Sequence, residues 1–181
     1  MAATKHTLVA IVEDKPGVLN RMVSMVRRRG FNIDSIAVGH SETPGFSRVT
    51  FVFDGSTANV EQVRKQLEKL IDIVRIKDIT SEKITVRELA LIKVKATSQT
   101  RSEIIEIADI FRANIVDVGA DSLTIETTGD EDKIETLLKL LKTFGIMEIA
   151  RTGRVAMVRG SLETLALKET GRSRAKKEEE A

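Results

Sequence analysis

The sequence predicts an α+β protein built from two tandem βαββαβ units, and three observations lead to this prediction. Apolar residues alternate in short runs typical of strands and recur at helical spacing in the stretches between them. The strand-like and helix-like stretches follow the same order in both halves of the 181-residue chain. Turn residues separate the stretches, so that each element can end where the next begins.

The first half is predicted to run strand, helix, strand, strand, helix, strand. Four stretches have the apolar pattern of strands, and they are 6–12, 31–38, 46–53 and 73–79. The first helix spans 17–29, begins after the turn formed by Pro16 and Gly17, and is ended by Gly30. The second helix is indicated by apolar residues at helical spacing, namely Val60, Val63, Leu67, Leu70 and Ile71.

The second half repeats this order. Its predicted strands are 88–96, 114–118, 122–127 and 146–150. Thr100 and Glu103 have the spacing of a capping box, which predicts the start of a helix there. Asp130 is predicted to open the last helix, which ends before Gly145 and turns inward four apolar residues, Ile134, Leu137, Leu138 and Leu141.

Both halves are therefore predicted as ferredoxin-like units, each with one antiparallel sheet and two helices on one face. The repeat extends to single residues, because Asn32-Ile33-Asp34 matches Asn114-Ile115-Val116-Asp117. It sets a first domain over 1–80, a linker over 81–86, a second domain over 87–160, and a polar, mobile tail over 161–181.

Composition limits the classes of function. With 41% hydrophobic and 31% charged residues the chain is globular, and without cysteine it has neither disulfides nor thiolate metal sites. A net charge of +2 and phenylalanine as the only aromatic type argue against a nucleic-acid partner. Arg27, Arg28 and Arg29 are interpreted as the solvated last turn of a helix. No apolar run is long enough to span a membrane, and a cytoplasmic location is expected.

The candidate site is the helix entrance that follows the first strand. Free N–H groups and the partial positive charge of a helix N-terminus suit a small carboxylate, and Gly17 lets a ligand approach the backbone. Asn32, at the start of the following strand, offers an amide carbonyl to an ammonium group. A purely structural interpretation stays open, because Pro-Gly starts many helices and Asn is common near a helix end.

Catalytic and metal sites are not predicted. His6 and His40 are the only histidines, and neither has a ligand-spaced partner. Asp130, Glu131 and Asp132 are interpreted as an acidic first helical turn rather than a cation site. The second half has Ala-Thr-Ser-Gln at 96–99, where the first has Asp-Lys-Pro-Gly, so only the first half is expected to hold a ligand pocket.

These residues resemble a known family. The resemblance begins in residues 7–21, which include Asp14-Lys15-Pro16-Gly17-Val18-Leu19, and in residues 29–36, which include Asn32-Ile33-Asp34; both stretches are similar to an ACT domain. More narrowly, the chain resembles the small regulatory subunit of acetohydroxyacid synthase, also called acetolactate synthase. The similarity continues through 47–50, 66–73, 87–94 and 150–153, and therefore covers everything except the tail.

The resemblance implies a regulatory subunit without chemistry of its own. It implies a homodimer that binds a catalytic large subunit carrying thiamine diphosphate, Mg²⁺ and FAD, raises its activity, and confers feedback inhibition by a branched-chain amino acid, usually valine. Carried over by position, the pocket mouth of one protomer comprises Asp14, Lys15, Pro16, Gly17, Val18 and Leu19, and the neighbouring protomer supplies Asn32 and Ile33. Family members often have Asn where this chain has Asp14.

Two other functions remain as alternatives. One is a free-standing amino-acid sensor of ACT type that acts on another enzyme or on a transcription factor. The other is an independent enzyme of ferredoxin-like fold, in which Glu13 and Asp14 would have to act as acid and base. Because this fold serves many functions, the fold alone does not separate them.

Overall fold

The computed structural model describes residues 5–54, 57–160 and 165, of which 57 and 58 are described by their backbone alone. The chain divides into two compact units. The first contains the residues up to Lys83 together with the segment that starts at Val158, and the second spans Ile84–Met157. The predicted tail over 161–181 lies outside the described residues except for Leu165.

The first unit has the predicted βαββαβ order. Its elements are β1 (Lys5–Glu13), α1 (Val18–Arg28), β2 (Ile33–His40), β3 (Phe46–Asp54), α2 (Thr57–Leu67) and β4 (Ile73–Asp78). The sheet has four antiparallel strands in the order β2-β3-β1-β4. Its core between sheet and helices is centred on Phe51 and Phe53, whose rings stack at 5.5 Å, together with Met22 and Leu67. β2 and β4 are therefore the edge strands.

The second unit repeats this order and adds one strand. Its elements are β5 (Ile84–Lys95), α3 (Arg101–Ile110), β6 (Asn114–Val118), β7 (Ser122–Gly129), α4 (Glu131–Leu141), a short 3-10 turn (Lys142–Phe144), β8 (Ile146–Arg151) and β9 (Val155–Val158). The sheet order is β6-β7-β5-β8, and β9 also pairs with β5. A separate core contains Ile92, Ile104 and Leu137. The predicted α+β fold with two βαββαβ units is confirmed.

The structure departs from the sequence prediction at β5 and β9. β5 begins at Ile84, inside the stretch interpreted as a linker, and β9 was not predicted. β9 has only four residues, and within it Val155 and Met157 are exposed while Ala156 is buried. Such a short alternation is a weak signal of a strand. β9 also forms only because β5 begins four residues before the predicted start and so offers a strand to pair with.

Helix ends follow local electrostatics. Arg27 and Arg28 lie in the last turn of α1, where cations complement the helix dipole, as predicted. Asp130 is the N-cap of α4, and its side chain accepts a hydrogen bond from the Lys133 N–H at 2.9 Å. The acidic stretch from Asp130 to Asp132 is therefore a helix start, and Glu131 forms an ion pair with Arg154.

A bidentate ion pair on α2 should make a small contribution to the free energy of unfolding that is lost at acidic pH. Arg64 donates to Glu61 from Nε and Nη2 at 2.8 Å each, and this holds the pKa of Glu61 down, from 4.5 to about 2. A carboxylate with a lowered folded-state pKa stabilises the fold above its unfolded pKa and loses that contribution as pH falls. Because the pair is largely exposed, we expect Glu61→Gln to cost about 0.5 kcal/mol at pH 7.

Denaturant unfolding of the two proteins at pH 7, 4 and 2 measures this difference in the free energy of unfolding. It should shrink between pH 4.5 and 2, and molar salt should also reduce it. A difference independent of pH would show that the ion pair is not its source.

Candidate functional site

The loop between β1 and α1 is a type II turn that places Gly17 at the helix start. The Lys15 carbonyl accepts a hydrogen bond from the Val18 N–H at 3.3 Å, Pro16 occupies the second position, and Gly17 has φ 85° and ψ −10°. Pro16 therefore lies in the turn, two residues before Val18, where α1 begins. Gly17 is required here because residues with a Cβ rarely adopt this conformation.

The N-terminus of α1 is open. No side chain caps it, and in the described part of the chain the N–H groups of Gly17, Leu19 and Asn20 have no hydrogen-bond partner. The first turn also contains no acidic residue. A helix start in this state presents both free donors and a partial positive charge, which together bind anions.

The corresponding helix start of the second unit differs in two ways, because the N–H of its N-cap residue Thr100 is hydrogen-bonded and Glu103 places an acid in the first turn. Thr97 Oγ1 accepts from the Thr100 N–H at 3.3 Å, and Thr100 Oγ1 accepts from the Thr97 N–H at 3.0 Å. These reciprocal bonds form the pattern of a capping box one turn before the predicted one, so the predicted box of Thr100 and Glu103 is wrong. The shift arises because the Thr97 carbonyl already accepts the Arg101 N–H at 3.0 Å.

Charged groups surround the open turn in the first unit. The Asp14 N–H donates to the Gly45 carbonyl at 2.9 Å, and Asp14 Oδ2 lies 3.3 Å from His40 Nδ1 at the end of β2. Lys15 Nζ lies 2.7 Å from Glu13 Oε2. The side chains of Asp14, Lys15 and His40 are accessible, so an anionic and a cationic group face solvent beside the free N–H groups.

Sequence reasoning missed Arg21 and Asp72, which lie at the same turn. Arg21 Nε and Nη2 both contact Asp72 Oδ2 at 2.8 Å. A Cβ placed on Gly17 would lie 3.4 Å from Arg21 Nη1, so the guanidinium borders the turn. The available signals were the spacing of four residues between Gly17 and Arg21, one helical turn, and the lack of an acid in the first turn of α1.

One protomer does not bring the whole predicted site together. Asp14 to Leu19 lie at the start of α1, whereas Asn32 and Ile33 follow its end. The 11 residues of α1 separate the two groups by about 16 Å. Asn32 is exposed, and Ile33 begins β2, opposite Phe53 of β3. The two groups can therefore meet only if a second copy of the chain supplies one of them.

Other features that bear on function are few. Among the described residues, no group of three or more His, Asp or Glu side chains is placed to hold a metal ion. His6 is buried, its ring nitrogens have no hydrogen-bond partner in that part of the chain, and Nδ1 lies 3.7 Å from Asp78 Oδ2. None of the described helices is both long enough and apolar enough to cross a membrane.

Comparison with known proteins gives consistent matches in both units. A family model described as an AHAS small subunit-like ACT domain matches residues 8–75, and one described as the small subunit of acetolactate synthase matches residues 87–160. The probable acetolactate synthase small subunit of Archaeoglobus fulgidus is 52% identical over 157 residues, covering 87% of this chain and 98% of that protein. The acetolactate synthase small subunit of Bacillus subtilis is 47% identical over 167 residues, covering 92% and 97%.

A solved structure supports the same assignment. The acetolactate synthase small subunit from Thermotoga maritima superposes with a TM-score of 0.81 at 41% identity, covering 87% of this chain and 99% of that one. The matches confirm both the resemblance and the prediction that the chain is part of this synthase rather than an independent enzyme. The chain belongs to the family of acetolactate synthase small subunits.

Proposed function

We propose that this chain is the regulatory subunit that activates the catalytic large subunit of acetolactate synthase and makes it sensitive to valine. The observation that supports this most is the open N-terminus of α1, which begins at Gly17 with no acid in its first turn, whereas α3 has Glu103 in its first turn. The chemistry belongs to the large subunit, where thiamine diphosphate, Mg²⁺ and FAD are expected. This chain contributes effector binding and contact with its partner, in the cytoplasm and without nucleic acid or membrane.

A branched-chain amino acid fits the turn by its charges. Its α-carboxylate accepts hydrogen bonds from the free N–H groups of Gly17 and Leu19, where the helix dipole stabilises negative charge. Its α-ammonium lies between the Asp14 carboxylate and the Asn32 amide carbonyl of a second copy, since each is an acceptor. Lys15, Pro16 and the exposed side chain of Leu19 form the rest of the mouth, and Ile33 of the second copy supplies an apolar wall. The side chain of Val18 packs into the core of the unit and anchors the helix start.

A homodimer built through β2 completes the site. Among the strands that the structure describes, β2 lies at the edge of its sheet beside β3, and an edge strand invites pairing with a second copy. If two β2 strands pair in antiparallel fashion about a two-fold axis that passes between Ile36 and Ala37, Ile33 of one copy lies near His40 of the other. Because His40 lies 3.3 Å from Asp14, this arrangement brings Asn32 of one copy to the mouth of the other.

A site shared by two copies couples ligand binding to their relative orientation. Valine inhibits only if it binds the inhibited arrangement better than the activating one. The large subunit must then weaken valine binding by the same factor, because linkage is reciprocal. A factor of roughly 10 to 100 corresponds to about 1.4 to 2.7 kcal/mol, which is ordinary for allosteric coupling.

The proposal is tested by the synthase activity of the large subunit, with and without this chain, across a valine titration. We expect the chain to raise the activity and valine to inhibit only when the chain is present. Activation without a valine response would keep the partner and reject this effector. No effect of either kind would reject the proposed function and favour a free-standing sensor of another enzyme or of a transcription factor.

A further inference from the structure

Asp72 connects the two sides of the turn that starts α1. Its backbone carbonyl accepts the N–H of Glu13, the last residue of β1, at 2.9 Å. Its carboxylate oxygen Oδ2 accepts from Arg21 in the first turns of α1, with both Nε and Nη2 at 2.8 Å. The residue is buried, with 7% of its surface exposed. Asp72 therefore connects the strand end to the helix start on either side of the 14–17 loop.

Helix stability does not explain this ion pair. Arg21 lies near the N-terminus of α1, where the helix dipole disfavours a cation. The buried carboxylate of Asp72 offsets that cost, but its own burial is costly without this partner. Two charged residues thus occupy a place where a polar cap would stabilise the helix with less desolvation. Their joint effect is to fix the guanidinium so that Nη1 borders Gly17.

We propose that Asp72 is a positioning residue of the effector site, acting through Arg21 and the backbone of Glu13. This inference rests on the proposed function, since it assigns the effector to the turn at Gly17. Through its two contacts Asp72 sets the distance between the strand end and the helix start. It thereby keeps the N–H groups of Gly17 and Leu19 and the charge of Arg21 directed at one carboxylate.

The first measurement does not depend on any effector. Amide hydrogen exchange of the full chain is compared between wild type and Asp72→Asn, which keeps the shape and the backbone carbonyl but removes the charge. We expect exchange at the hydrogen-bonded amides of Glu13, Asp14 and Val18 to become about tenfold faster. Glu61→Gln serves as a matched control, because it removes a bidentate arginine pair elsewhere in the same unit. Exchange at the amides of Glu13, Asp14 and Val18 that stays as slow as in wild type would overturn the proposal.

The second measurement is a valine titration of the complex, carried out with Arg21→Gln, Asp72→Asn and the double variant. We expect each single variant to raise the half-maximal valine concentration about tenfold, and the double variant to be no worse than Asp72→Asn alone. Glu61→Gln should respond like wild type. Additive effects, or a wild-type response of Asp72→Asn, would overturn the proposal because the pair would then not act as a unit.

The two measurements separate failure of this inference from failure of the proposed function. One possible outcome is that exchange at the loop is faster in Asp72→Asn than in wild type, while the wild-type complex shows no valine response. This outcome would support positioning by Asp72 and reject valine as the effector. A thermal unfolding scan distinguishes local from global effects. Asp72→Asn could instead accelerate exchange uniformly over the chain and lower the melting temperature. If that global loss of stability is large enough to account for the faster exchange at the loop, the residue is structural and the proposal is wrong.

Discussion

Gly17→Asp is expected to abolish valine inhibition of the complex. Gly17 has φ 85°, a conformation that Asp tolerates better than most residues, so the chain can still fold. The new Cβ would lie 3.4 Å from Arg21 Nη1, which lets the added carboxylate pair with the guanidinium. It then occupies the place of the ligand carboxylate and repels it. Synthase activity across a valine titration measures the loss.

Gly17→Asn is the matched control for this variant. Asn has nearly the shape of Asp and the same tolerance of positive φ, but it carries no charge. We expect Gly17→Asn to raise the half-maximal valine concentration while inhibition persists, and both variants to form the dimer and the complex on size-exclusion chromatography. Normal inhibition of the Gly17→Asp complex would show that the effector does not bind at this turn.

Asn32→Ala is expected to weaken valine inhibition without preventing it. The substitution removes an exposed side chain at the end of α1 and so should leave stability nearly unchanged. It also removes the acceptor proposed for the ligand ammonium, and a hydrogen bond to a charged group contributes about 1.5 to 3 kcal/mol. The half-maximal valine concentration should therefore rise at least about tenfold.

Asn114→Ala provides the control, because Asn114 is the matching residue of the second unit, where the helix start has no Pro-Gly turn and carries Glu103 in its first turn. This variant should respond to valine like wild type. Unchanged sensitivity of Asn32→Ala would remove Asn32 from the site, and equal losses in both variants would assign the effect to something other than the first unit.

Most of the fold follows from local pattern. The apolar periodicity of the first unit predicted its strands and helices in the right order, because sheet and helix faces must both be buried against one core. It was wrong at the end of α2, which stops at Leu67, so that Leu70 and Ile71 lie beyond the helix and Ile71 is exposed. The start of α4 at Asp130 could also be predicted from local sequence, because a capping side chain contacts a backbone N–H only three residues away. β9 was not predicted, because its pairing depends on β5, which is distant in sequence.

The site was predicted less completely. Pro16 and Gly17 predicted a turn, but only the backbone dihedral angles of the structure show that it is a type II turn ahead of the helix. The capping box at Thr97 and Thr100 involves two hydroxyl groups, and the more usual spacing of Thr100 and Glu103 masked it. Asp72 reaches Arg21 across 51 residues of sequence, and no local pattern reveals such a contact.

The measurement that tests the shared site most directly is complementation between two defective copies. A dimer with Gly17→Asp in one copy and Asn32→Ala in the other is purified with two different tags and combined with the large subunit. If each site uses the turn of one copy and Asn32 of the other, both substitutions fall in one site and the second site is intact. We predict that a high-affinity phase of valine inhibition returns in the mixed dimer. If inhibition stays as weak as in the two parent dimers, the site does not combine residues of two copies.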